Sequence, residues 1–345
     1  MKRIVSVLLL IVLCASLCAC GENIPEGNVV GYGDTWIDEV FFKSEVAAYK
    51  ASYVYSYLGL DGDLASIWSE ESEEEGVTKG EAILNLTTTE CCAMAWVIEW
   101  AGKNGVALDE EDEEIVLNDI NTLVESDGGR DAYLESIEKM GLTEDTILKN
   151  ARMSLLYDKA MTALTSEGGL FEITEDVTNA YFDENFVAVK HIYINNVAET
   201  DEEGTYVQIS PETLEKKNEK IKTMEEALEG GEDFDVLYAM SDDGMQAVYP
   251  DGMAITTGDV WSVDYENACF KLEVGEWVKL EIPSVGVYFI KRVEIPEGQR
   301  AERIQEVPYY LRPSIQEKIY EDYKDEFIIN TEYIENFDVV SLPIE

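Results

Sequence analysis

The run Phe186-Val187-Ala188-Val189-Lys190-His191-Ile192-Tyr193-Ile194 constrains the fold most, because it breaks the pattern on either side of it. From Asp34 to about Ser166 apolar residues recur every three to four positions, as in Trp36, Val40, Phe41, Val46, Tyr49, Tyr53 and Tyr57, which is the period of amphipathic helices. At Phe186 the period drops to two, with few charges on either parity, and the spacing predicts a strand buried on both sides. The only histidine of the chain lies on that strand.

Helical segments are expected at about Thr78–Gly102, Asp109–Val124, Arg130–Met140 and Thr143–Thr165, the second opening on acidic residues that suit a helix N-terminus. No strand pattern interrupts them, so residues 30–185 read as an all-helical module. Past the histidine strand, Asn195 to Ser210 is polar and loop-like. Ser210-Pro211 then opens a helix that ends before Gly230-Gly231. Two short helices, a short strand near Met253–Thr256 and strands at Trp277–Ile282 and Val285–Val293 complete residues 186–295. Helices gathered around one small sheet put this part, and the chain, in the α+β class. From residue 296 to 345 helical spacing returns in Tyr309, Leu311, Ile315, Ile319, Tyr320 and Tyr323, and this segment is expected to pack back on the N-terminal module.

The first twenty residues predict an address. Lys2 and Arg3 precede an apolar run from Ile4 to Leu13, too short to span a membrane comfortably, and Leu17-Cys18-Ala19-Cys20 follows. This stretch resembles the lipobox of bacterial lipoproteins. That likeness implies a lipoprotein signal over residues 1–20 that is cleaved just before Cys20, with Cys20 acylated as the first mature residue and the protein held by lipid at the outer face of a bacterial cell membrane. An ordinary secretory signal is the alternative. Only Cys91, Cys92 and Cys269 remain beyond it, too few for a disulfide framework, so the fold must rest on its core.

Charge excludes one class of partner. With 72 acidic against 25 basic residues, a net charge of -47 repels nucleic acid. The acidity reads first as a solvating surface and second as a collector of basic clients. Acidic runs at Glu70–Glu75 and Asp109–Glu114 lack the spacing of a calcium loop, and no phosphate loop, dinucleotide fingerprint or zinc cluster is present, so neither cofactor nor metal is expected.

Three motifs in residues 186–295 resemble the parvulin family of peptidyl-prolyl cis/trans isomerases. They are His191-Ile192-Tyr193-Ile194, the stretch Gly230-Gly231-Glu232-Asp233-Phe234 running to Ser241-Asp242-Asp243, and Tyr265-Glu266-Asn267-Ala268-Cys269-Phe270-Lys271-Leu272 ending in Gly275-Glu276. The resemblance implies His191 and Asp243 at a catalytic rim, and Met253, Trp261 and Tyr265 around a proline ring. In the closing strand, Tyr288 of Gly286-Val287-Tyr288-Phe289-Ile290 stands where the family carries a second histidine, and Pro283 stands where a threonine is usual. Such a catalyst needs only to hold proline in an apolar pocket, desolvate its carbonyl and favour the twisted amide.

A parvulin-like insert within helices behind a lipoprotein signal resembles the extracytoplasmic foldases of the PrsA and SurA type. The implied partners are unfolded or partly folded exported polypeptides containing proline, and a homodimer stays open. Two functions remain at this point: an isomerase using His191, Asp243 and Tyr288, or a non-catalytic chaperone or peptide-binding lipoprotein with a degenerate parvulin domain.

Overall fold

The structure is a computed structural model that describes residues 24–56, 66–72, 74–200, 206–260, 262–283 and 285–342. Residues 1–23, on which the expected signal and Cys20 fall, and Trp261 lie outside the described residues. Among the described residues two compact units emerge: one from 24–54, 66–173 and 310–342, the other from 174–309. Mixed helices and small sheets make this an α+β protein.

The first unit is built on the helix Lys79–Asn104. A capping box starts it, with the Thr78 hydroxyl accepting from the Glu81 N–H and the Glu81 carboxylate accepting from the Thr78 N–H. Gly105, at φ 74°, ends it in the left-handed conformation that glycine adopts without penalty. One side of the helix packs Cys91, Cys92 and Ala95 with Val29, Ile37 and Phe42. Another packs Ala93, Trp96 and Val97 with Met161, Leu164 and Ile319. Apolar residues on several sides make it a core helix.

This unit is not purely helical. Strands Asn28–Tyr32, Thr35–Asp38 and Ile328–Ile329 form a three-stranded antiparallel sheet, with Val30 opposite Ile329. Trp36, which falls on the helical spacing, belongs to the second of these strands. The helix begins only at Glu39, because the Asp38 carboxylate takes the N–H groups of Val40 and Phe41 and so fixes its first turn.

The second unit extends beyond 186–295 at both ends. Helix Glu175–Asn185 precedes the histidine strand, and its Phe182 stacks on Phe186 at 4.4 Å. Arg300, on helix Glu297–Arg303, lies over Phe182 and pairs with Asp183, while Arg303 lies over Phe186 and pairs with Asp259. The aromatic faces and carboxylates that these arginines need are all in this unit. Residues 297–306 therefore belong here, and the boundary placed at 296 falls at Tyr310.

The unit's main sheet has four antiparallel strands in the order Met253–Ile255, Val187–Ile194, Gly286–Val293, Trp277–Ile282. The stretch after Asn195 contains a small hairpin, Ala198–Thr200 with Tyr206–Gln208, where the sequence suggests a loop. Both faces of the histidine strand are covered, as its composition predicts. Ile192 and Ile194 pack with Val287 and Phe289 against Ile221, Met224 and Leu228 of helix Pro211–Glu229. Val187 and Val189 pack with Ile290 and Tyr288 against Tyr265 and Cys269 of helix Val263–Lys271. Strand parity alone assigns His191 and Tyr193 to the second of these faces.

Candidate functional site

The histidine strand pairs His191 with Ile290 and Tyr193 with Tyr288 across the closing strand. His191, Tyr193 and Tyr288 thus share one face, where helix Val263–Lys271 adds Tyr265. Four rings cluster there. The His191 and Tyr265 rings meet edge-on at 5.5 Å, His191 and Tyr288 edge-on at 5.3 Å, and Tyr193 stacks on Tyr288 at 4.9 Å.

Within this aromatic group the imidazole is held at both nitrogens. His191 Nδ1 lies 2.5 Å from the Tyr265 hydroxyl, and Nε2 lies 2.5 Å from Asp243 Oδ2. An ionised carboxylate can only accept, so Nε2 donates to Asp243, and in the neutral ring Nδ1 accepts from the Tyr265 O–H. Burial drives the Tyr265 hydroxyl well above its ordinary pKa, which keeps it a donor. The His191 side chain is 11% exposed and that of Asp243 is 23% exposed, so one edge of this line meets solvent.

Asp243 reaches the histidine because its loop is tied to the same strand. The Tyr193 N–H donates to Ser241 Oγ at 2.8 Å, and the Asp242 N–H donates to the Tyr193 carbonyl at 2.8 Å. Ser241 Oγ donates in turn to Asp243 Oδ1 at 2.7 Å, which also accepts the Met245 N–H. Burial raises the pKa of the Asp243 carboxyl, and the hydrogen bonds from His191 and Ser241 more than offset it, leaving the group below the ordinary carboxylate range.

Met253 is brought to the same face by its pairing with Val189, and it packs half-buried against the Tyr265 and Tyr288 cluster. Tyr288 is buried at 8% exposure, and its hydroxyl has no hydrogen-bond partner among the described residues. Burial raises the Tyr288 pKa, with Tyr193 and Asp243 adding to the effect. Pro283 is exposed, on the turn into the closing strand. Gly286 begins that strand at φ 146°, where an added Cβ would stand 2.6 Å from the Ile194 carbonyl oxygen, so only glycine lets the strand reach Tyr288 in register.

An open depression adjoins Asp243, bordered by Tyr193, Asn195, Glu199, Thr213, Lys217 and Val285. Lys217 on its wall, and Lys220 one turn further along the same helix, were passed over by sequence reasoning. Lys217 and Lys220, three apart on helix Pro211–Glu229, both reach Asp242. Tyr193 was also passed over, although it lies two residues beyond His191 and so shares its face. Among the described residues, no group of three or more histidine, cysteine, aspartate or glutamate side chains is arranged to hold a metal, and Cys91, Cys92 and Cys269 are free and buried.

Solved structures similar to this chain include the foldase protein PrsA of Streptococcus pneumoniae, at 16% identity over 90% of this chain and 97% of that one, with a TM-score of 0.33. The chain is similar to solved PrsA proteins. The peptidylprolyl isomerase PrsA of Bacillus cereus matches at 18% identity over 86% of this chain and 91% of its own, with a TM-score of 0.27. That of Bacillus anthracis matches at 17% identity over 68% and 94%, also with a TM-score of 0.27. No family model and no curated protein matches.

Proposed function

We propose that this protein is an extracytoplasmic folding factor of the PrsA type that isomerises X-Pro bonds in exported polypeptides. One observation carries the reading: the hydrogen-bonded line Asp243–His191–Tyr265 lies on a sheet face beside Tyr288 and Met253 and is open to solvent at one edge. Such an arrangement offers what the reaction uses. A proline ring lies against Met253 and the ring of Tyr288, which thereby serves the pocket rather than the catalytic rim. The carbonyl of the residue before proline turns over the polar edge formed by His191 and Asp243. There the fixed hydrogen-bonding groups favour the twisted amide over the planar one. No bond is broken and no proton need be transferred.

In this reading Tyr265 moves from the proline pocket to the polar rim, since its hydroxyl occupies Nδ1 of the histidine. Trp261 keeps its place in the pocket on the sequence resemblance alone. Cys20 carries the lipid that anchors the mature chain to the outer face of the cell membrane. The helical module captures unfolded segments, and a homodimer is compatible with this arrangement.

The test is proline cis/trans exchange measured by NMR on short X-Pro peptides, with His191→Ala and Asp243→Ala beside the native chain. Acceleration that both variants lose supports the isomerase. A folded sample that accelerates no peptide sinks it and leaves the second reading, a peptide-binding scaffold. That alternative draws on Tyr288 in place of a second histidine.

A further inference from the structure

Asp242 points away from the histidine, yet it is the most heavily bonded residue of its loop. Its Oδ2 accepts from Lys217 Nζ at 2.5 Å and from the Asn195 N–H at 3.0 Å, and its Oδ1 accepts from Lys220 Nζ at 3.0 Å. Lys220 Nζ also donates to the Met240 carbonyl at 2.7 Å, just before the loop begins. The two lysine side chains are 28% and 27% exposed and the carboxylate 21%, so salt screens this cluster less than it would screen a surface pair.

Adjacent carboxylates on one short loop repel each other. Asp243 must nevertheless sit ionised on Nε2 of His191, half-buried, with Asp242 as its neighbour in the chain. Two ammonium groups on the far side draw the Asp242 charge toward the helix, and its backbone N–H stays on the Tyr193 carbonyl. Ser241 is then held between the Tyr193 N–H and Asp243 Oδ1.

We propose that Lys217 and Lys220 are positioning residues of the site. Together they clamp Asp242, and through it they hold the Ser241–Asp243 loop where the Asp243 carboxylate meets His191 Nε2. Neither lysine touches the histidine, so their effect reaches it only through the loop. The inference draws on the isomerase reading for its kinetic consequence alone.

Because the chain has a single histidine, its ring nitrogens report the clamp directly. The experiment takes the full chain labelled with 15N-histidine and records two-bond proton–nitrogen correlations near neutral pH, together with kcat and KM on an X-Pro peptide. The native chain is expected to show an Nε2–H ring with an accepting Nδ1. In Lys217→Met/Lys220→Met both nitrogen resonances move toward averaged tautomers, and kcat falls by on the order of tenfold while KM holds, as displacement of a positioned group does. Lys217→Arg/Lys220→Arg restores both readouts, since the charge returns. Unchanged nitrogen resonances in a folded double-Met chain overturn the clamp. Should the double variant fail to fold, each single Met variant is read the same way; a smaller shift in the same direction supports the clamp and no shift in either overturns it. A native chain that turns over no peptide removes the isomerase, and the nitrogen shifts still decide the clamp.

Discussion

His191 Nε2 and Asp243 Oδ2 are 2.5 Å apart although 52 residues separate them in the chain. The contact exists because Ser241 and Asp242 bond the backbone of Tyr193, two residues past the histidine, and so run the loop along the end of its strand. The imidazole is thereby fixed from the loop side, and Tyr265 fixes it from the helix side.

The two tyrosines of the ring cluster should separate in their effects. Tyr265→Phe keeps the ring packing but deprives His191 Nδ1 of its donor, so X-Pro exchange should slow by about tenfold or more, in the range of a lost positioned polar group. Tyr288→Phe removes a hydroxyl without a partner among the described residues, and exchange should change by about threefold at most. Unfolding free energies from denaturant melts should stay within about 1 kcal/mol of the native chain for Tyr288→Phe and fall by about 1–3 kcal/mol for Tyr265→Phe, which leaves His191 Nδ1 without its donor. Equal losses of activity would count against the line through Tyr265.

Acid should loosen the loop. The carboxyls of Asp242 and Asp243 are both held below their ordinary range: burial opposes this, while hydrogen bonds from Lys217 and Lys220 for the one, and from His191 and Ser241 for the other, outweigh it. A folded pKa below the unfolded one means that the unfolded chain binds more protons as pH falls. The stability from these groups is therefore complete above about pH 4 and is lost as pH drops through the folded values. Asp243→Asn should flatten the acid limb of a stability-against-pH curve; an unchanged limb would contradict the assignment.

Two carboxyls of the first unit, Glu45 and Glu90, carry the opposite sign. Burial raises the carboxyls of Glu45 and Glu90, Glu90 is further raised by Glu45, and the Tyr49 hydroxyl bonding Glu90 offsets this only partly. Groups raised in the fold add stability below their unfolded pKa, near 4.5, and that stability is lost as pH climbs through the folded values. Glu45→Gln should accordingly raise the melting temperature at neutral pH and reduce its decline between mildly acidic and neutral conditions. Thermal melts of the variant at several pH values decide the point.

Lys50 is 2% exposed, and its ammonium donates to the carbonyls of Val339 at 2.6 Å and Leu342 at 2.5 Å while lying 5.3 Å from the Trp68 ring centre. Lys50→Met fills the same space and leaves those carbonyls without their donor. A cost of about 1–3 kcal/mol is expected, along with faster hydrogen exchange confined to the residues around Val339 and Val340. Exchange unchanged there would mean that the segment is held by its apolar contacts alone.

Much of the fold was legible because period and parity are local. The change from helical spacing to alternation at Phe186 marked the central strand, and its lack of charge announced two buried faces. Apolar spacing put a helix start near Thr78, where the capping box lies. What stayed hidden depends on partners far along the chain. The Thr35–Asp38 strand looks helical by spacing and is a strand because Asn28–Tyr32 pairs with it. Helix Glu297–Arg303 joins the second unit because Arg300 and Arg303 find Phe182 and Phe186 there. At the site, the motifs pointed to His191 and Asp243, but motif position placed Tyr265 as a pocket ring and could not tell that its hydroxyl reaches Nδ1. Lys217 and Lys220 left only a weak sign, two cations three apart on one helix face.

The pairing of Val30 with Ile329 imposes an order of assembly. In a chain that appears N-terminus first, the second unit has its last strand once Val293 is delivered, whereas the first unit waits for a strand almost three hundred residues downstream of its partner. Its opening strand can pair with Thr35–Asp38 at once, but the other edge of that strand must wait while everything between is made, and contacts of such separation form slowly. Loss of the last few dozen residues would therefore strike the first residues of the fold.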